Sequence, residues 1–292
     1  MRIADKTFFE QTRSQLRARR ADALQAQARA GSLRRVQRAS EDPVAVALES
    51  RAKLRRRRAE AHVRAAEDGI AELRAADEAL GGAAELLRRA RELAVQMSSD
   101  TVSASERLAA AEEVEGLRAS LLALANTDVG GRFVFGGYED RRPPFDAAGR
   151  YAGGAGPRER LLAPGVRSPS APTGDEAFGA AGGTDLFASL DAFTAALRAN
   201  DVAGIRGALD TLEAGHAQLV RARAVVGARQ DAHEVARHAA EQVADRELAA
   251  QERLVGMEPM EAFSRLQQAD VALQAAVRIA ARLPLPSLVE QG

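Results

Sequence analysis

The sequence predicts a mainly α protein: a long antiparallel helical bundle or coiled coil drawn from both chain ends, with one small β-rich inserted domain. Three observations predict it. Ala, Leu, Arg and Glu recur in helical rhythm over most of the 292 residues. Apolar residues fall at seven-residue spacing, the seam of helix-on-helix packing. Only "VGGRFVFGGYEDRRPPF", residues 129–145, interrupts the rhythm with glycines, aromatics and prolines. The composition agrees. Hydrophobic residues make up 46% but aromatics only 4%, with no Trp, so much of the apolar content is Ala and suits thin packing.

Phe9, Leu16, Ala23 and Ala30 form a narrow seam on a helix expected from about 5 to 30. The complementary positions hold Arg13, Arg20 and Gln27, so half the seam is empty and the helix needs partners to be stable. Gly31 suits a C-terminal cap, Asp42 an N-cap, and Pro43 the first helical position, where its missing N–H costs nothing. The next helix is expected to run to about 98, with Leu73, Leu80, Leu87 and Ala94 as its firmest seam. "SASE" at 103–106 has capping-box spacing and opens a helix carrying Val114, Leu117, Leu121 and Leu124 on one face.

Residues 130–183 hold 13 of the 24 glycines and six of the ten prolines, and read as a turn-rich insertion. "RFVFGGY" reads as a short strand and "GRYAGG" (149–154) as another. Phe133, Phe135, Tyr138 and Phe145 are the expected core of this insertion. Helices then resume, with Leu186, Leu190, Phe193 and Leu197 on one face. The segment from about 201 to 257 keeps a seam at Ile205, Leu212, Leu219, Val226, His233, Ala240, Glu247 and Leu254, about 85 Å of helix. It needs a partner along its length, and the helix from 44 to 98 is the obvious one. A last helix begins at Pro259 with Phe263, Leu266, Leu273, Val277 and Ala280. The expected bundle core is Leu73, Leu80, Leu87, Leu117, Leu121, Leu212, Leu219 and Val226.

Net charge is zero but unevenly spread: residues 1–60 hold 16 Arg/Lys against 7 Asp/Glu, and 241–292 hold 5 against 8. Oppositely charged ends attract each other or neighbouring subunits. There is no cysteine, which removes disulfides and thiolate chemistry. Arg2, Asp5, Lys6 and Glu10 leave no apolar signal-peptide core, and no uncharged run approaches a membrane span. "HEVARH" (233–238) misses the zinc-protease motif, because its histidines stand five apart rather than four; His233 reads as a seam residue. "RRRR" (55–58) points all round a helix and lacks the interleaved aromatics of a nucleic-acid site. The glycines at 130–137 precede no Gly-Lys-Ser/Thr, and no nucleophile elbow is present. No catalytic residue, cofactor or metal is expected.

Taken in order, several segments resemble the flagellin superfamily. The opening "MRI" and the turn "RASEDP" (38–43, with Ser40, Glu41, Asp42 and Pro43) are similar to its start and its Ser-Asp-Asp-Pro turn. "LLALANTDVGGRFVFGGYEDRRPPF" (121–145) resembles its Leu-Ala-Asn, Gly-Arg-Phe/Tyr-Phe-Gly and Pro-Phe pattern. "GRYAGG" and "TGDEAFG" (173–179) resemble a small domain of the superfamily. "VRARAVVGARQDAHE" (220–234) resembles its Arg-x-x-x-Gly-Ala-Arg helix, and "EPMEAFSRLQQADVALQAA" (258–276) its C-terminal helix. Three positions depart from the pattern: Glu41 stands for Asp, Gly154 for an acid, and Pro284 and Pro286 end the last helix early.

The resemblance implies a structural, non-enzymatic subunit that joins hook to filament by assembling into a ring. It implies an extracellular flagellar location, reached through type III export without a cleaved signal peptide. Implied partners are further copies of the chain, a hook-associated protein on the hook side, flagellin on the filament side and an export chaperone; neither nucleic acid nor membrane is among them. Residues 1–40 and 258–292 would form a terminal coiled-coil region lining an inner tube, ordered on assembly. Residues 41–129 and 184–257 would form the long helical bundle, and 130–183 would project outward. Phe9, Leu16, Ala23, Phe263, Leu266, Leu273 and Val277 are the self-assembly seam. Burying each large member between subunits would contribute about 1.5–3 kcal/mol before ordering costs. The same reading expects the free ends to be loosely packed and open to proteolysis. A flagellin, the filament subunit, is the nearest alternative; a cytoplasmic coiled-coil or nucleic-acid-binding helical protein is the alternative from another class.

Overall fold

The computed structural model describes residues 2–281, with side chains described from Glu10 onward; the expectations for Phe9, Pro284 and Pro286 lie outside the described residues. Its elements are α1 (Arg2–Ser32), α2 (Pro43–Met97), α3 (Ala104–Ala125), β1 (Asp128–Val129), β2 (Arg132–Phe133), β3 (Glu159–Ala163), β4 (Val166–Pro169), α4 (Gly174–Ala177), α5 (Leu186–Arg198), α6 (Val202–Val255) and α7 (Pro259–Ala281). This is the mainly α class that the sequence predicts, with two small two-stranded sheets. The chain divides into two compact units, residues 1–58 with 243–292, and residues 59–242.

The 59–242 unit is built on two heptad seams. On α2, Ala59, Ala66, Leu73, Leu80, Leu87 and Ala94 are all buried at seven-residue spacing. On α6, Ile205, Leu212, Leu219, Val226, His233 and Ala240 do the same. The leucines join one core with Val114, Leu121, Leu190, Phe193 and Leu197; Leu117 packs at its edge, half-buried. Gly215 lets Leu186 at the start of α5 pack closely on α6, since a Cβ there would sit 2.5 Å from a Leu186 methyl. Asp77 and Arg223 bridge the two helices with paired bonds of 2.9 and 3.0 Å. Ser103 and Glu106 form the capping box that opens α3, as their spacing predicts.

Arg107 is 3% exposed, although nothing in its surroundings in the sequence marks it as buried. It donates to the carbonyls of Met97 (3.1 Å) and Ser99 (2.7 Å), capping the orphan C-terminal end of α2, and to Asn200 Oδ1. Asn200 itself turns the chain between α5 and α6 with a left-handed φ of 57°.

Within the insertion, "RFVFGGY" is not one strand. Only Arg132–Phe133 pairs, with Asp128–Val129, across a two-residue turn in which Gly130 and Gly131 both have positive φ. "GRYAGG" contributes a single bridge, Phe145 to Tyr151. The longest pairing, β3 with β4, falls in a stretch with no alternating pattern to reveal it. Phe135 and Phe145 are buried as expected, and pack with Phe178 (ring centroids 5.0 and 5.9 Å away) and Phe187 (5.1 Å from Phe145). Phe133 is half-buried.

Tyr138, expected in that core, is instead 63% exposed. The chain reverses at Gly137 (φ 60°), whose backbone presses so closely on the Gly154 carbonyl that a Cβ would lie 2.6 Å from it. That reversal turns the Tyr138 ring outward, and Tyr151 packs against Phe145 in its stead at 5.4 Å. Gly154 explains its own departure from the family pattern. A Cβ there would meet the Tyr138 and Glu139 nitrogens at 2.8 and 2.9 Å, so an acid does not fit.

Buried polar groups fasten the insertion to the helices. Gln218 is 3% exposed, gives its amide to the carbonyls of Ala177, Gly179 and Thr184, and accepts from Thr184 N. Arg158 bridges Glu72 of α2 and Asp140, and Arg160 adds a 2.8 Å bond to Glu72. Arg229 donates to the Ser170 carbonyl.

His233 is fully buried, as its seam position predicts. Its Nδ1 lies 2.8 Å from the Arg229 carbonyl, which makes Nδ1 the protonated nitrogen, and Nε2 is buried without a hydrogen-bond partner. The ring fills the space left by Gly69, where a Cβ would come within 2.4 Å of it. Gly69→Ala should therefore lower stability by about 1–3 kcal/mol in urea unfolding, although Gly→Ala in an exposed helix gains about 1 kcal/mol. His233→Ala in the same chain should recover most of that loss.

Burial, and next to it the neighbouring Arg160 and Arg229 charges, hold the His233 imidazole below its ordinary pKa, against opposing contributions from the Arg229 carbonyl and Glu72. The unfolded chain thus takes up a proton near pH 6.5 that the folded chain refuses. Unfolding free energy should be fully retained above about pH 6.5 and fall as the pH drops below it. Urea titrations from pH 8 to 5 should show this slope in the wild type, and His233→Leu should lose it.

Candidate self-assembly interface

The other unit, residues 1–58 with 243–292, brings the two terminal helices together. α1 packs against α7 in antiparallel fashion, with Gln25, Ala26 and Arg29 beside Met257, Ala262 and Arg265. Small residues occupy the contact: Ala23 is 7% and Ala262 1% exposed. The larger members of the expected seam are not enclosed. Leu16, Leu266 and Leu273 are half-buried, while Phe263 is 60% and Val277 49% exposed. Those two stand fourteen residues apart, about 40° from each other around α7, so they share a side. Leu24 on α1, and Met260, Val271 and Ile279 on α7, are exposed as well. Two helices alone leave the remainder of each apolar stripe in water, an unusual density of exposed large side chains.

The turn between α1 and α2 is built from the "RASEDP" residues. Asp42 accepts from the Ala45 N–H at 2.9 Å and caps α2, which starts at Pro43 as expected. That N–H, followed by Arg35, holds the Asp42 carboxyl below its ordinary range. Glu41 reaches back to the Gln37 N–H at 3.0 Å, and to Arg29 on α1 at 3.6 Å. The Gln37 bond, helped by Arg29 and Arg38, keeps its carboxyl below the ordinary range too. Its extra methylene, relative to Asp, is what spans that distance. Ser40 is exposed.

Residues 33–36 then pair with 255–257. Arg35 N donates to the Val255 carbonyl and Met257 N to that of Leu33, both at 2.8 Å. Val36, Ala45 and Val255 are buried beneath this bridge. Gly31 does not end α1 as expected. The helix continues to Ser32, and Leu33 takes the left-handed conformation (φ 50°), its carbonyl held by Met257.

In the basic run on α2, Arg55 grips Glu247 with bonds of 2.7 and 3.0 Å, and Arg56 is half-buried. Arg57 and Arg58 are exposed. The two histidines of "HEVARH" diverge, His233 into the core and His238 to the surface beside Glu241 at 3.1 Å. Among the described residues, no group of three or more His, Cys, Asp or Glu could hold a metal, and no helix is long and apolar enough to cross a membrane.

Residues 3–140 match the model of the bacterial flagellin N-terminal helical region. The nearer likeness is to flagellar hook-associated protein 3. The Escherichia coli K12 protein of that name is 36% identical over 126 residues, which are 38% of this chain and 40% of that one. The Salmonella typhimurium counterpart is 28% identical over 156 residues, 53% and 49% of the two chains. The matches thus span less than half the length of these relatives. In fold, the crystal structure of the flagellar junction protein FlgL from Legionella pneumophila aligns with a TM-score of 0.58 at 16% identity, covering 72% of this chain and all of that one.

Removing the Asp42 carboxylate should loosen the start of α2 without touching the exposed stripe. Asp42→Ala is expected to cost about 1 kcal/mol, and Asp42→Ser much less. Denaturant unfolding of the two variants checks this.

Proposed function

We propose that this chain is a structural subunit of the bacterial flagellum that joins hook to filament, working through contacts with other chains and not as an enzyme. The observation that carries the proposal is the half-closed α1–α7 pair. It buries Ala23 and Ala262 but leaves Phe263 and Val277 in water, a face that adjoining chains would complete. The relatives' names, hook-associated protein 3 and flagellar junction protein, support placing that assembly at the hook–filament boundary. On this reading residues 1–40 and 258–292 line an inner tube and order fully on assembly. Residues 41–129 and 184–257 form the surrounding bundle, and 130–183 projects outward. Copies of the chain form the ring, between a hook-associated protein on one side and flagellin on the other. Before export through the type III apparatus, a chaperone shields the apolar ends.

A strain lacking the gene should build hooks without filaments and lose flagellin to the medium. Filaments of normal length in that strain would overturn the proposal. Complementation with Phe263→Ser/Val277→Ser should fail to restore swimming, although the purified variant keeps the thermal midpoint of its 59–242 unit.

A further inference from the structure

The charge of this chain separates by unit. Residues 1–58 hold 16 Lys/Arg and 6 Asp/Glu, and 243–292 hold 5 and 7, so that unit carries a net +8. Residues 59–242, with 20 and 28, carry −8. Within the positive unit, Arg13, Arg17 and Arg20 of α1 stand at i, i+4 and i+7 along about 10 Å of one helix side. All three are exposed, and among the described residues no ion pair reaches any of them. Like charges at this spacing weaken an isolated helix, so the stripe is a cost to the free chain. Exposed Leu24 continues it toward the C-terminal end of α1.

The stripe lies beside the apolar seam of Leu16 and Ala23. In coiled-coil packing the residues flanking a seam choose the partner, because they form the interhelical ion pairs. We infer that the Arg13–Arg17–Arg20 stripe is the docking edge for an acidic helix of a chemically different, adjoining subunit. This rests on the junction reading for where such a subunit is met. Charge complementarity selects the occupant. A second copy docked terminal unit to terminal unit would bring +8 against +8, within the roughly 8–10 Å over which charges interact at physiological salt. A helix with Asp or Glu beside a leucine seam would neutralise the stripe and complete the half-open packing together. The stripe then acts as a device of specificity, favouring an acidic neighbour and opposing indefinite stacking of identical units.

The test uses the full-length chain. Two synthetic amphipathic helices serve as probes, one with Glu flanking a Leu seam and one with Lys in those places; duplex DNA is a third. Anisotropy titrations should show the Glu helix binding and the Lys helix not. Raising NaCl from about 0.05 to 0.5 M should weaken the Glu complex by at least about tenfold. R13E/R17E/R20E should lose at least about tenfold in affinity for the Glu helix and acquire affinity for the Lys helix. Should that variant fold poorly by circular dichroism, R13Q/R17Q/R20Q should lose the Glu helix without gaining the other. In sedimentation, self-association of the wild type should rise with added salt. Equal affinity for both peptides would overturn the inference. So would wild-type self-association that is strongest at low salt and abolished by the reversal, which would make a second copy the occupant. Tighter binding of DNA than of the Glu helix would overturn it as well. The deletion phenotype and the peptide titration fail independently, so losing one reading is distinguishable from losing the other.

Discussion

Everything in the 59–242 unit depends on a seven-residue seam shared by two long helices. Leu73, Leu80 and Leu87 on α2 and Leu212, Leu219 and Val226 on α6 are wholly buried and run through the centre of its core. With aromatics at 4% and no Trp, much of the remaining core area comes from the leucines and phenylalanines that pack against this seam. The helices are therefore obliged to stay parallel to that seam, and other elements attach to it by polar fasteners. Arg107, Gln218 and the Arg158–Glu72–Arg160 group each join separate segments at the edge of the leucine core. Charged groups this deep are not a net source of stability by themselves; removing one partner of a set is what costs. They specify where the insertion sits.

The seam also explains the contrast between the two units. Along α2 the buried positions change from leucine at 73–87 to alanine at 45, 52, 59 and 66. On α6 the seam ends in Ala240, Glu247 and Leu254, of which only Ala240 is buried. Alanine removes little area from water, so each turn of such a helix contributes less than a leucine layer. In the unit with the terminal helices the apolar area exists, but on Phe263, Val277, Met260 and Ile279, outside the α1–α7 contact. The apolar area that would hold this unit firmly is left exposed instead of being used within the chain.

Most of this was legible in the sequence because heptad spacing is a long-range, redundant signal. Each of Leu73, Leu80, Leu87, Leu212, Leu219 and Val226 is buried where the period puts it, and even His233 follows the period into the core. The turn at Asp42–Pro43 and the box at Ser103–Glu106 were legible because their chemistry is local. What escaped was decided by contacts between distant residues. Tyr138 looks like a core residue beside Phe133 and Phe135, yet the close approach of Gly137 and Gly154, seventeen residues apart, turns it out. The β3–β4 pairing lacks alternation because only Leu162 of its strands is buried. Arg107 and Gln218 give no signal at all, since their partners are backbone groups and one asparagine amide supplied by other segments. For the interface, the seam residues were identifiable but their division was not: which of them close onto α1 and which stay open depends on the register of α1 against α7.

The central claim is that residues 1–58 and 243–281 are completed by other chains whereas 59–242 is complete alone. Hydrogen exchange on the purified monomer and on the assembled ring measures this directly. Slow exchange is expected in the leucine stretches of α2 and α6 in both states, and fast exchange in α1 and α7 that becomes slow only on assembly. Equal protection of α1 and α7 in the dilute monomer would contradict it.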